Sequence, residues 1–112
     1  MKIGFTGSRS IKELTPEMLD VLDQIQAEDV VIHGGAEGAD KLVAEYLHLN
    51  DIEQLVIRPI NPSNKNHYLY RNVEIVCLSD KLIAFWDGNS RGTKFTIDYA
   101  ESRKKEVIIV KL

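Results

Sequence analysis

The chain has 112 residues, of which 44% are hydrophobic and 28% charged, and a net charge of −3. That length suits one domain, residues 1–112, and the apolar fraction excludes a disordered chain. The mild acidity excludes a strongly basic, non-specific duplex DNA binder, no apolar run reaches the ~20 residues of a membrane span, and the lone Cys77 excludes an internal disulfide.

Met1-Lys2-Ile3-Gly4-Phe5-Thr6-Gly7 turns polar too soon for a signal peptide, so a cytoplasmic protein is expected. Lys2–Thr6 is predicted as the first strand. Thr15-Pro16-Glu17 supplies a hydroxyl cap, a proline at the first helical position and an acid near the positive dipole end. Met18, Val21, Leu22 and Ile25 follow at helical spacing. Val30–His33 is the second strand, and Ala39, Leu42, Val43, Tyr46 and Leu47 mark the second helix. Gln54–Arg58 is the third strand, ended by Pro59. Ile60–Asn66 is a loop, and helical spacing returns from His67 to Leu78. Lys81–Trp86, Gly92–Arg103 and Glu106–Val110 are predicted as strand, helix and strand.

The alternation βαβαβαβαβ predicts an α/β three-layer sandwich, with about five mostly parallel strands and helices on both faces. The apolar runs Val30-Val31-Ile32 and Val107-Ile108-Ile109-Val110 do not alternate, as expected of strands buried on both sides. Right-handed crossovers favour the strand order 3-2-1-4-5, with a ligand cleft where the order reverses, between strands one and four.

Six of the seven glycines fall in the loops after strands one, two and four. Glycine permits positive φ and close backbone approach to a ligand, and a helix N-terminus attracts anions. The first loop offers Gly7, Ser8 and Arg9. The second offers Gly34, Gly35 and Gly38, with Glu37 and Asp40 as acids able to meet ribose hydroxyls. The third offers Gly88, Ser90, Arg91, Gly92 and Thr93, beside Asp87. Glycines can also simply make tight turns, and each hydroxyl can equally cap a helix. Three such loops on one edge point to a phosphate-bearing, nucleotide-derived small molecule. The loops match neither the P-loop nor the dinucleotide fingerprint, no zinc spacing occurs, and no metal or cofactor is expected.

Gly4-Phe5-Thr6-Gly7-Ser8-Arg9, His33–Asp40, Arg71-Asn72 and Phe85–Thr93 together resemble the SLOG superfamily, most closely its YspA-like branch. The resemblance runs over residues 4–100 and implies a Rossmann-like fold that binds nucleotides or their derivatives. It also implies a homo-oligomer. Arg71 and Gly92-Thr93 resemble the arginine and G-T of LOG-type phosphoribohydrolases, but Thr96 stands where their catalytic glutamate would be. N-glycoside hydrolysis of a nucleoside monophosphate or an ADP-ribose-type substrate would therefore need Glu37, Asp40 or Asp87 as its carboxylate, with Arg71 on the phosphate. Arg71–Ser79 and Ser90–Ile97 are also similar to segments of DprA-type proteins, which bind single-stranded DNA; nucleic acid is the less favoured partner. Of the remaining side chains, Tyr68 and Tyr70 are candidates for base stacking. His33 is read as structural, and Cys77 as part of the apolar stripe.

Overall fold

A computed structural model describes residues 1–112. The elements run β1 (Lys2–Gly7), α1 (Pro16–Leu22), β2 (Val30–His33), α2 (Ala39–Leu49), β3 (Glu53–Val56), α3 (Lys65–Leu78), β4 (Lys81–Trp86), α4 (Arg91–Ser102) and β5 (Glu106–Lys111). All pairings are parallel, in the order β3-β2-β1-β4-β5. This is the predicted order, with its reversal between β1 and β4. No helix is long and apolar enough to cross a membrane.

Alternation along the central strands divides the core between two faces. Ile3 and Phe5 of β1 join Ile83 and Phe85 of β4 in one cluster with Met18 and Leu22 of α1 and Val43 and Leu47 of α2. Phe5 and Phe85 meet edge to face, with ring centroids 5.0 Å apart. Each such buried side chain contributes about 1.5–3 kcal/mol. The opposite face carries Leu82 of β4, Val76 of α3 and Ala100 of α4. Gly4 is required on that face, because a Cβ there would stand 2.5 Å from Ser79 Oγ, where α3 ends against the sheet.

The differences from expectation are local. Thr15 caps α1 as predicted, its hydroxyl accepting from Met18 N at 3.3 Å, but the helix stops at Leu22. Ile25 leaves the helix and still packs against the core. β3 is Glu53–Val56, because its four residues pair with the four of β2, from Val30 with Glu53 to His33 with Val56. Arg58 therefore lies beyond the strand. The prediction that β5 is buried on both sides is corrected: it is an edge strand in which only Val110 is buried and Ile109 is 42% exposed. Val30, at the start of β2, is half-buried. Cys77 is exposed rather than core, since one helical step carries it off the Ile75–Val76 face.

Candidate functional site

β1 and β4 stay paired to their carboxyl ends, where Gly7 lies opposite Phe85. Ser8 extends the junction: its amide donates to Phe85 O at 2.9 Å and its hydroxyl accepts from Asp87 N at 3.0 Å. Beyond this brace lies a cleft of about 300 Å³, lined by Gly7, Arg9, Ser10, Asp40, Tyr68, Arg71, Asp87, Ser90, Gly92 and Thr93, among others. A second cleft of about 260 Å³ adjoins it and shares Arg9, Ala36, Tyr68 and Arg71. Its further wall is Gly34, Gly35, Glu37 and Arg58.

Nine of the sequence-derived candidates thus line the first cleft: Gly7, Arg9, Asp40, Tyr68, Arg71, Asp87, Ser90, Gly92 and Thr93. Gly34, Gly35 and Glu37 belong to the second, and Gly38 lies in a neighbouring groove with Glu37. Ser8 is fully buried, with its hydroxyl committed to the strand ends. Gly88 and Arg91 line none of these clefts, and Gly88 instead packs beside Lys111. Ser10 and Asn72 line the first cleft beside Arg9 and Arg71, and Arg58, in the second, is a cleft residue that carries no local motif of its own. Tyr70 is exposed next to His67, outside both clefts, in a small pocket that it shares with Arg58 and Arg71.

Arg71 is the organising cation. It is 7% exposed, and its Nη1 donates to Gly34 O at 2.8 Å and to Ile57 O at 3.2 Å, while Nε donates to Asn72 Oδ1 at 2.8 Å. Burial lowers its pKa, and the charges of Arg9 and Arg58 add to that, opposed by Asp40 and Tyr68. Arg9 and Arg71 both lie over the ring of Tyr68, 5.5 and 5.4 Å from its centroid. Tyr68 thus gathers two guanidiniums by cation–π attraction.

The glycines of the first two loops are explained largely by the protein itself. A Cβ at Gly7 would overlap that of Ala39, and one at Gly34 would overlap the guanidinium of Arg71. Gly35 and Gly38 have positive φ, 63° and 82°. Gly92 differs, since a Cβ there would meet nothing within 4 Å.

Three carboxylates stand near the clefts, in different states. Asp87 Oδ2 accepts from Ser10 Oγ at 2.6 Å, and its Oδ1 accepts from the amides of Asn89 and Ser90, both at 2.8 Å. These bonds hold its pKa down to about 2. Glu37 is solvent-exposed, 4.0 Å from Lys41. Asp40 is buried: its Oδ2 accepts from Gly34 N at 3.2 Å and Ala36 N at 3.1 Å, while Oδ1 has no partner. Burial raises the Asp40 pKa against the lowering effect of those amides. A carboxyl whose pKa is raised on folding costs stability progressively as pH rises above its ordinary value, and the loss is complete once pH passes the raised value. Asp40→Asn, which keeps an acceptor for the loop and removes the charge, is therefore expected to raise stability at pH 7. Asp40→Ala strands two amides and is expected to lower it by about 1–3 kcal/mol. Urea unfolding of both variants checks the opposite signs.

Thr96, in place of a catalytic glutamate, is buried in α4 and its hydroxyl donates to Gly92 O at 2.8 Å. At the head of the same helix, Ser90 Oγ accepts from Thr93 N at 3.3 Å. His33 is structural, with Nδ1 accepting from Gly35 N and Nε2 bonded to Gln54 Oε1. Trp86 donates to Ser90 O at 3.1 Å and so supports the third loop from below.

No family model matches the chain, and no curated protein matches it. Among solved structures, it is similar to DNA processing protein A (DprA) from Streptococcus pneumoniae, with a TM-score of 0.79 at 17% identity, over 96% of this chain and 49% of that one. It is also similar to DNA processing protein A from Helicobacter pylori, a protein with a single-stranded DNA binding mode. There the TM-score is 0.73 at 20% identity, over 97% of this chain and 64% of that one. The chain thus spans about half to under two thirds of the length of these structures. What it shares with them is the fold: a five-stranded parallel sheet in the order 3-2-1-4-5, Rossmann-like, as in DNA processing protein A.

Proposed function

We propose that the protein binds a nucleotide through its phosphate, in the cleft between the ends of β1 and β4. One observation carries this reading: Arg9 and Arg71 converge on Tyr68 at that cleft, and neither has a carboxylate within ion-pair distance. Facing them is the start of α4, where Gly92 and the Ser90 and Thr93 hydroxyls line the cleft and the first helical amides lack intrahelical acceptors. Three or four charge-assisted bonds of about 1.5–3 kcal/mol each support an affinity on the order of micromolar, near −8 kcal/mol, after the costs of ordering. Kinship with the YspA-like branch belongs to this reading.

Calorimetry against nucleoside 5′-monophosphates and ADP-ribose is expected to show saturable binding. Gly92→Val should abolish it without unfolding the protein, because the added side chain enters the cleft rather than the core. No heat with any member of the panel rejects the proposal.

A second reading is single-stranded DNA binding, favoured by the likeness in fold to the Helicobacter pylori protein. In that reading the same cleft takes one nucleotide of a strand. Salt-sensitive binding of an oligodeoxynucleotide, not displaced by excess mononucleotide, would favour it over the first. Glycosidic cleavage would have to draw its carboxylate from Asp40, whose Oδ1 is uncommitted, since those of Asp87 are engaged and Glu37 lies in the second cleft.

A further inference from the structure

The double glycine after β2 seats two arginines side by side. Arg71 crosses Gly34 so closely that a Cβ there would overlap its guanidinium. Arg58 crosses Gly35, with both terminal nitrogens 3.2 Å from where a Cβ would stand. Arg58 arrives from the loop after β3 and is exposed, in the wall of the second cleft.

Three guanidiniums, those of Arg9, Arg58 and Arg71, therefore gather around Tyr68 and the second loop. The ion pairs of the protein are Met1 with Asp29, Lys41 with Glu37 and Lys94 with Asp98, so none of the three arginines is neutralised by a carboxylate. Both Arg9 and Arg58 repel the charge on Arg71. Like charges held together in this way gain most from a polyanion that spans them. The shape agrees. The first cleft ends at Gly7, Ser90 and Thr93, the second at Arg58, Pro59 and Pro62, and the two join at Arg9, Tyr68 and Arg71. The only acid in the second cleft is Glu37, which is turned to solvent near Lys41.

We infer that Arg58, with the shared Arg9, forms a second anion subsite, so that the ligand carries two phosphate groups separated by a sugar, one on each side of the Arg9–Tyr68–Arg71 cluster. This inference rests on the proposed nucleotide-phosphate site and extends it along the second cleft. A nucleoside 3′,5′-bisphosphate has that chemistry, and so does each internal nucleotide of a single strand. A 5′-monophosphate has only one such group.

Calorimetry on the full chain, with nucleoside 5′-monophosphates, the matching 3′,5′-bisphosphates and a pentadeoxynucleotide, tests the subsite. In the wild type the bisphosphate is expected to bind at least about tenfold more tightly than the monophosphate, roughly one charge-assisted contact. In Arg58→Ala that ratio should fall toward one; thermal unfolding serves as the check on its fold, which an exposed side chain should leave intact. Equal binding of mono- and bisphosphate by the wild type, or an unchanged ratio in Arg58→Ala, overturns the subsite and leaves the phosphate site standing. Absence of binding by every probe overturns both. Where the subsite holds, tighter binding of the pentanucleotide than of the bisphosphate assigns it to a strand, and the reverse order assigns it to a free nucleotide.

Discussion

Arg71→Ala is expected to lower stability by about 2–4 kcal/mol and to weaken nucleotide binding about 10–100-fold. Stability falls because Nη1 satisfies two backbone carbonyls, Gly34 O and Ile57 O, in a position where the arginine is only 7% exposed. Removing it leaves those acceptors short of a donor and takes away one of the positive charges that offset the burial of Asp40. Binding falls because Nη2, alone among the guanidinium nitrogens, has no partner within the protein and is available to a phosphate. Arg71→Lys should restore little, since an ammonium cannot span Asn72, Gly34 and Ile57 while also presenting a donor to the cleft. Arg9→Ala separates the two effects. Arg9 is exposed, so its loss should cost affinity with little change in stability. Urea unfolding and calorimetry on the three variants read the two quantities independently, and a fully stable Arg71→Ala would show that its buried bonds contribute nothing.

Gly38→Ala is expected to destabilise the fold by roughly 3 kcal/mol or more. At φ +82° and ψ −126° the backbone occupies a region nearly closed to L-residues, and the new Cβ would lie 2.5 Å from both Cα and O of Arg9. Neither atom can step aside without moving the first loop, so the strain falls on the residue that presents its guanidinium to the cleft. Gly92→Ala is the contrasting variant. Its Cβ meets nothing within 4 Å and it lies within α4, so replacing a helical glycine should stabilise by up to about 1 kcal/mol. Thermal unfolding should therefore move in opposite directions for two substitutions of the same chemistry. A Gly38→Ala protein as stable as the wild type would disprove the close approach of the first two loops.

Much of this architecture was legible without coordinates, because its causes are local. Thr15-Pro16-Glu17 announces a helix start through capping and a fixed φ, and α1 begins at Pro16. Short β-branched runs separated by helical spacing dictate parallel strands, and the handedness of crossovers then leaves few sheet orders. The loops that meet at the cleft could also be named, since they follow strands β1, β2 and β4. Ser8 and Cys77 were harder to place. Whether a hydroxyl faces a ligand or a neighbouring strand, and whether one helical step leaves a thiol covered, depends on what packs alongside.

The seven glycines show where sequence reading stops. That six of them follow the first, second and fourth predicted strands is a sequence property, and it names the edge of the sheet at which the clefts open. Their reasons are not. Gly7 makes way for Ala39, Gly34 for Arg71, Gly35 for Arg58 and Gly38 for the backbone of Arg9, while Gly92 stands beside open space. Arg58 and Arg71 reach the double glycine from segments 23 and 37 residues further along the chain, and no periodicity or motif encodes that meeting. By itself the sequence determined the order of elements and the edge at which they open, because propensity, capping and handedness act over a few residues. Only the tertiary structure decided which cations share that edge and which glycines seat them, because those contacts exist only once distant loops are packed together.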